Sequence, residues 1–300
     1  MSDLLKLSRT ALRYERKNDP AEEAVVTRMR ELVQKRKTWG CPMLHYVLKR
    51  EKLVVNHKRT ERIYYKVAKL SLKVRKRKKR ASVSRTKLKE PTRLGERWSM
   101  DFVHDRLANG RKMRAFTLID LFSKESLAIE IDTSLSGQRV VRVLDRVCEE
   151  RGCPESISID NGPEFISKAL DKWAYEHKVH LDFIDPGKPI QNAHIESFNG
   201  RYRDECLNLH YFTDMDEARE ISESWRIDYN TFRPHGSLGG LTPEEFGKKW
   251  LLEQDRNQQP TPEGLNLQPA LNWGRVRVAK KIVFRPWLFK RGYTQNDPGR

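Results

Sequence analysis

This chain has little that would suit a membrane or an oxidising compartment. No apolar run approaches the roughly 20 residues that a bilayer-spanning helix requires. The opening MSDLLKLSRTALRYERK has neither an apolar core nor a small-residue cleavage site, so export is not expected. Four cysteines occur in 300 residues, Cys41, Cys148, Cys153 and Cys206, and no two of them form a Cys-x-x-Cys pair. Such spacings support neither a disulfide framework nor a zinc site and fit a reducing cytosol. Cys148 and Cys206 read as small packing residues of helices. No internal repeat is present.

Positive charge, by contrast, is abundant and unevenly placed. Of the net +18, residues 1–90 carry +19, residues 91–250 carry −6 and residues 251–300 carry +5. A basic front end on a mildly acidic body describes a module that holds a polyanion, joined to a body with another task. The same balance would suit RNA, so charge selects a partner class only.

Residues 1–70 read as helical. After the breaker Asn18-Asp19-Pro20, AEEAVVTRMRELVQKR has acids in its first turn, bases in its last, and Val25, Met29, Leu32 and Val33 on one face. CPMLHYVLKREK repeats the pattern with Met43, Leu44, Val47 and Leu48, and Asn56 is placed to cap NHKRTERIYYKVAKL. Three short helices, the third bearing His57, Lys58, Arg59 and Arg62, resemble a helix-turn-helix unit whose third helix enters the major groove. The alternative is a small helical domain with a solvated basic face. Residues 71–92 form a basic linker; 71–90 hold ten Lys or Arg against one Glu, with Lys76, Arg77 and Lys78 as candidate phosphate contacts.

Residues 93–254 alternate strand and helix. ERWSMDFV, RAFTLIDLF and SLAIEID are strand-like, and Asn109-Gly110 marks a hairpin between the first two. SGQRVVRVLDRVCEERG reads as a helix stopped by Gly152, SISID as a strand, PEFISKALDKWAYEHK as a helix with Pro163 in its first turn, and HLDFI as a fifth strand. A loop at 185–192 leads to helices over 193–208, from Asp214–Glu217 to Tyr229, and after Thr242-Pro243. The order predicts a mixed sheet covered by helices. Residues 255–300, first rich in Gln and Pro and then basic and aromatic, form a tail from which no role is read.

Three carboxylates stand out by their joint placement. Asp101 lies in the first strand, Asp160 ends the fourth, and Glu196 follows PGKPIQNAHI on a helix, with 58 residues between the first two and 35 between the second and third. Asn199 and Arg203, three and seven residues beyond Glu196, return to nearly the same helical face. Each acid alone has a plain reading as a strand end, a turn cap or an exposed helix residue, the reading given to Asp105, Asp120 and Asp132. Together, acids on three elements are what two magnesium ions need, since magnesium takes oxygen ligands and shares its shell with substrate phosphate.

The Asp, Asp, Glu spacing, with WSMDFV, DNGPEF and PGKPIQNAHIESFNGRYRDECL around the acids, resembles the D,D(35)E core of retroviral integrases and bacterial insertion-sequence transposases. YNTFRPHGSLGGLTPEEF, residues 229–246, resembles the block closing that core in transposases of the OrfB type, from two-reading-frame elements. The resemblance implies a ribonuclease-H-like, five-stranded α/β fold. It implies a catalytic subunit that cuts and joins DNA at terminal inverted repeats, with Asp101, Asp160 and Glu196 as ligands of two Mg2+ ions, replaceable by Mn2+. It places Arg203 on a DNA phosphate and Asn192 beside the terminal nucleotides. Arg233 and His235 could touch phosphate or serve structure. His104 and His194, which flank catalytic acids, are assigned at most an indirect or DNA-contacting role, because magnesium prefers oxygen. Homo-oligomers on DNA and an upstream-frame OrfA partner or fusion are further expectations, in a bacterial cytoplasm near the nucleoid. A non-catalytic DNA-binding regulator and a nuclease that cuts without joining are the rival readings.

Overall fold

The computed structural model describes residues 20–72, 90–160, 162, 165, 167–183 and 193–258. Asn192, Lys76, Arg77, Lys78, most of the basic linker, the 185–192 loop and the tail beyond 258 lie outside them.

The body is built on a five-stranded sheet: β1 (Arg97–Arg106), β2 (Lys112–Asp120), β3 (Ser126–Asp132), β4 (Ser156–Ile159) and β5 (His180–Phe183). Its order is β3-β2-β1-β4-β5. β1, β2 and β3 pair antiparallel, whereas β4 and β5 run parallel to β1. This is the mixed sheet that the order of elements predicts and the ribonuclease-H-like arrangement that the resemblance implies, with the first acid on its central strand.

Strand alternation sorts β1 between two layers. Trp98 and Met100 pack with α4 (Gly137–Arg151) and α5 (Lys168–His177). Val103 lies on the other face, in a core built by α6 (Ala193–Glu205) and α7 (Met215–Thr231). Asp101 shares the parity of Val103 and therefore faces α6. Aromatic residues dominate this second layer: Phe198 and Tyr202 of α6 pack on Trp225 and Tyr229 of α7. Cys206 is buried there among apolar neighbours, which push its thiol up to about 12.

α5 starts at Lys168, five residues later than the sequence pattern suggests, because Ser167 caps it by accepting from the Leu170 amide at 3.3 Å. Gly152 ends α4 at φ +81°, in the left-handed half of the map that suits glycine.

Ahead of the sheet stand α1 (Pro20–Lys35), α2 (Cys41–Arg50) and α3 (His57–Arg62), the last continuing as one π-turn through Val67. Asn56 caps α3, accepting from the Lys58 amide at 2.9 Å. Met29, Leu44, Leu48 and Ile63 form a separate apolar core here. α8 (Pro243–Gln258) closes the described chain. Among the described residues no helix is long and apolar enough to cross a membrane.

Candidate active site

Asp101 is half-buried in the middle of the sheet. Its Oδ1 accepts from the Phe102 amide at 2.7 Å, and its Oδ2 accepts from Asn199 Nδ2 at 2.8 Å. Cross-strand pairing sets Thr117 opposite Asp101. Thr117 Oγ1 is 3.0 Å from Asn199 Oδ1 and 3.1 Å from the Asp101 carbonyl. The threonine thus turns the Asn199 amide so that its NH2 meets the carboxylate.

Asp160 follows β4 directly and accepts from the Gly162 amide at 3.0 Å, a local turn that fixes one oxygen. Glu196 is exposed in the first turn of α6. The three acids share one electrostatic field. Burial first, and then the negative charges of Asp160 and Glu196, push the Asp101 carboxyl up to about 6, against the pull of its two hydrogen bonds. Among the described residues, no three His, Cys, Asp or Glu side chains form a ready-made metal shell.

The flanking residues divide clearly. Arg203 lies two helical turns beyond Glu196 on α6 and its Nη2 donates to the His104 carbonyl at 3.0 Å, while the His104 side chain is exposed. His194 points elsewhere: its Nδ1 lies 3.3 Å from Lys124 Nζ and its Nε2 3.3 Å from Glu90 Oε2. Burial and Lys124 hold its ring below the ordinary histidine range. Asp120 is a structural acid, accepting from the amides of Gly95, Phe122 and Ser123 at 2.9, 2.9 and 2.7 Å.

The 229–246 block turns its polar groups inward. Arg233 donates from Nε and Nη2 to the two Glu205 oxygens at 2.8 and 2.6 Å. Asn230 grips the start of β3 through both Ser126 backbone groups, each at 2.9 Å. His235 is buried and its ring is pushed down to about 3 by burial and then by Arg233. Contact between phosphate and Arg233 or His235, one of two readings of the sequence, gives way to the structural one.

On α3, His57 and Lys58 are exposed and Arg59 is half-buried, while Arg62 is paired with Glu22. Sequence reasoning placed Asn199 on the face of Glu196 without giving it a task, and Thr117 escaped it entirely, since only strand register reveals it.

The integrase core domain family matches residues 91–189 and 177–243. An uncharacterised protein of insertion element IS407 from Burkholderia multivorans is 45% identical over 254 residues, spanning 84% of this chain and 91% of its own length. The chain belongs to the insertion-sequence transposases with an integrase core. It is therefore an enzyme of the DDE polynucleotidyl transferase class, working in DNA transposition. The transposase also resembles, at 26% identity over 71% of this chain and 78% of its relative, the putative transposase InsK of IS150 from Escherichia coli. The HTLV-2 integrase catalytic core in complex with magnesium matches 52% of this chain and 97% of its own, at 17% identity and a TM-score of 0.40.

Proposed function

We propose that Asp101, Asp160 and Glu196 are the catalytic acids of this transposase and hold two divalent cations, Mg2+ or in its place Mn2+, against a DNA phosphate. The observation carrying the proposal is convergence: Asp101 on β1 faces α6, whose first turn carries Glu196, and lies in the fields of both Asp160 and Glu196, whose like charges add to the effect of its burial. Mutual repulsion of this kind is relieved by a bound cation. The donor set fits a hard ion, being all oxygen, while the nearby His194 engages Lys124 and Glu90. When bound, the cations supply charge that activates the attacking oxygen and stabilises the leaving one.

The chain's own residues do the positioning. Asn199 and Thr117 hold Asp101 in one orientation, and the Gly162 amide holds Asp160. Arg203 exchanges the His104 carbonyl for a DNA phosphate, a stronger acceptor because it is charged. The oxygen of water attacks phosphorus and the bridging 3′ oxygen departs with a proton, leaving a 3′-hydroxyl. The oxygen of that hydroxyl then attacks the phosphorus of a second phosphodiester, whose own bridging 3′ oxygen leaves with the proton as a new 3′-hydroxyl, so one bond forms as one breaks and the strands are joined. His57, Lys58 and Arg59 on α3 contact the element's inverted repeat, with Arg62 joining them once it releases Glu22. Asn192 and the basic residues Lys76, Arg77 and Lys78 add DNA contacts from outside the described residues. The domain plan is a DNA-binding region over 1–70, a linker over 71–92, the core over 93–254 and a tail. The working form is a homo-oligomer on DNA in the bacterial cytoplasm, with an upstream-frame partner or fusion selecting the ends.

Glu196→Gln tests the assignment. Strand cleavage at the inverted repeats in magnesium should fall by at least about 10³-fold, by analogy with the loss of a group acting in the transition state, while binding to those ends changes less than about twofold. Cleavage by the variant at the parental rate would sink the proposal.

A further inference from the structure

With Tyr229, Asn230, Arg233 and His235 turned inward, the 228–246 block presents a different set of groups to α1 and α2. Phe232 stacks on Trp39 with centroids 6.0 Å apart and planes 16° from parallel. The Arg36 guanidinium lies 5.4 Å from the Trp39 ring and 5.7 Å from the Phe232 ring, and its Nη2 donates to Asp228 Oδ1. Arg50, at the end of α2, donates to the Phe232 carbonyl at 3.3 Å and to Glu245 Oε2 at 3.2 Å. Glu245 and Thr242 form a reciprocal cap on α8, the Thr242 amide donating at 2.8 Å and the Glu245 amide donating to Thr242 Oγ1 at 3.1 Å. The acceptor for Arg50 is therefore held in place by the cap of α8 itself.

Between these points the backbone itself comes close. Gly240 has φ +88°, and a Cβ built there would lie 2.1 Å from Cδ1 of Tyr46. No other residue type allows that approach.

We propose that residues 228–245 are the docking surface for the chain's own helical unit, and that this dock sets where DNA held by α3 meets the three acids. Three separated contacts, at Arg36 with Trp39, at Tyr46 and at Arg50, fix the orientation of one body on another. Charge matches across the join, with arginines on the helical side and Asp228 and Glu245 on the core. The existence of the dock is independent of the proposed function; its consequence for cutting rests on that function.

The test inserts a site-specific protease site within 73–89 of the full chain, cuts it, and asks by gel filtration whether the halves travel together. The parental halves should co-elute. Arg36→Glu and Asp228→Arg should each weaken association by at least about tenfold, and the double swap should restore it, as coupled neighbours do in a mutant cycle. Arg50→Ala, remote from either core, should weaken it independently. Parental halves that separate, or single swaps and Arg50→Ala that all co-elute like the parent, would overturn the dock. In the uncut chain, Arg36→Glu should bind ends within about twofold of the parent yet nick them at least about tenfold more slowly, with recovery in the double swap. Parental nicking by Arg36→Glu would end the coupling claim while leaving the acid assignment to stand on Glu196→Gln.

Discussion

The two ends of α6 carry glutamates nine residues apart, Glu196 and Glu205, that nothing in composition separates. At the back end, Glu205 and Arg233 form a two-bond pair with only 12% and 9% of their side chains exposed. At the front end, Glu196 is exposed and shares its field with Asp101 and Asp160, carboxylates like itself. A carboxylate matched by a buried cation belongs to the fold. One set among other carboxylates is left with a charge that an external cation can neutralise. The same residue type on one helix thus meets opposite surroundings, a buried cation at one end and like charges at the other.

Breaking the back end should have the largest effect on stability. Glu205→Ala leaves the Arg233 guanidinium buried without its partner, an expected loss of about 3–5 kcal/mol in urea denaturation. Glu196→Ala on the same helix should shift stability by less than about 0.5 kcal/mol, as exposed substitutions do. An apolar pair, Glu205→Leu with Arg233→Met, should recover most of the loss, since a buried ion pair is often replaceable by packing. Equal losses for Glu196→Ala and Glu205→Ala would erase the distinction between the two ends.

Acid should sharpen the same contrast, through His235 beside Arg233. Burial holds its ring pKa at about 3, so the folded state refuses a proton that the unfolded chain takes up near pH 6.5. Its Nε2 is buried and lacks a hydrogen-bond partner among the described residues. A depressed pKa contributes stability that is present above the unfolded value and lost as pH falls toward the folded one. At pH 5 this amounts to about 2 kcal/mol relative to pH 7.5. In His235→Phe, urea midpoints at the two pH values should draw closer by that amount; an unchanged difference would mean the ring is accessible to protons.

Much of this architecture was legible in the residues. Strand-like runs marked all five strands, and Asn56, Gly152 and Asn109-Gly110 marked a cap, a stop and a hairpin, because these are local backbone effects. The joint spacing of Asp101, Asp160 and Glu196 was legible for the same reason, each acid sitting at a recognisable point of a strand or helix. What stayed hidden depends on contacts between distant elements. Arg233 and His235 looked fit for phosphate because sequence cannot show that Glu205 and Tyr229 enclose them. The start of α5 was misjudged because the Pro163 signal was local, whereas Ser167 supplies the cap that is used. Thr117 gave no signal because its role exists only through the β1–β2 register.

Thr117 also supplies the smallest and most discriminating test of the front end. Asn199 donates to Asp101 and lowers its carboxyl pKa, opposing burial and the two neighbouring charges. In Asn199→Leu that restraint is gone, so the Asp101 pKa should rise above about 6 and protons should compete better with cations. One lost charge-assisted hydrogen bond corresponds to about 1.5–3 kcal/mol at most, and solvent beside the half-buried site should bring the cost nearer 1 kcal/mol. The expected result is about a five- to tenfold higher magnesium concentration for half-maximal cleavage, with the saturated rate unchanged. That shift should widen as pH falls from 8 to 6, because a larger share of Asp101 becomes protonated. Thr117→Val leaves Asn199 in place but frees its amide to rotate, so the same shift should appear with smaller size. If Thr117→Val instead lowered the saturated rate and left the magnesium requirement untouched, the pair would be acting on the reacting DNA and not through Asp101.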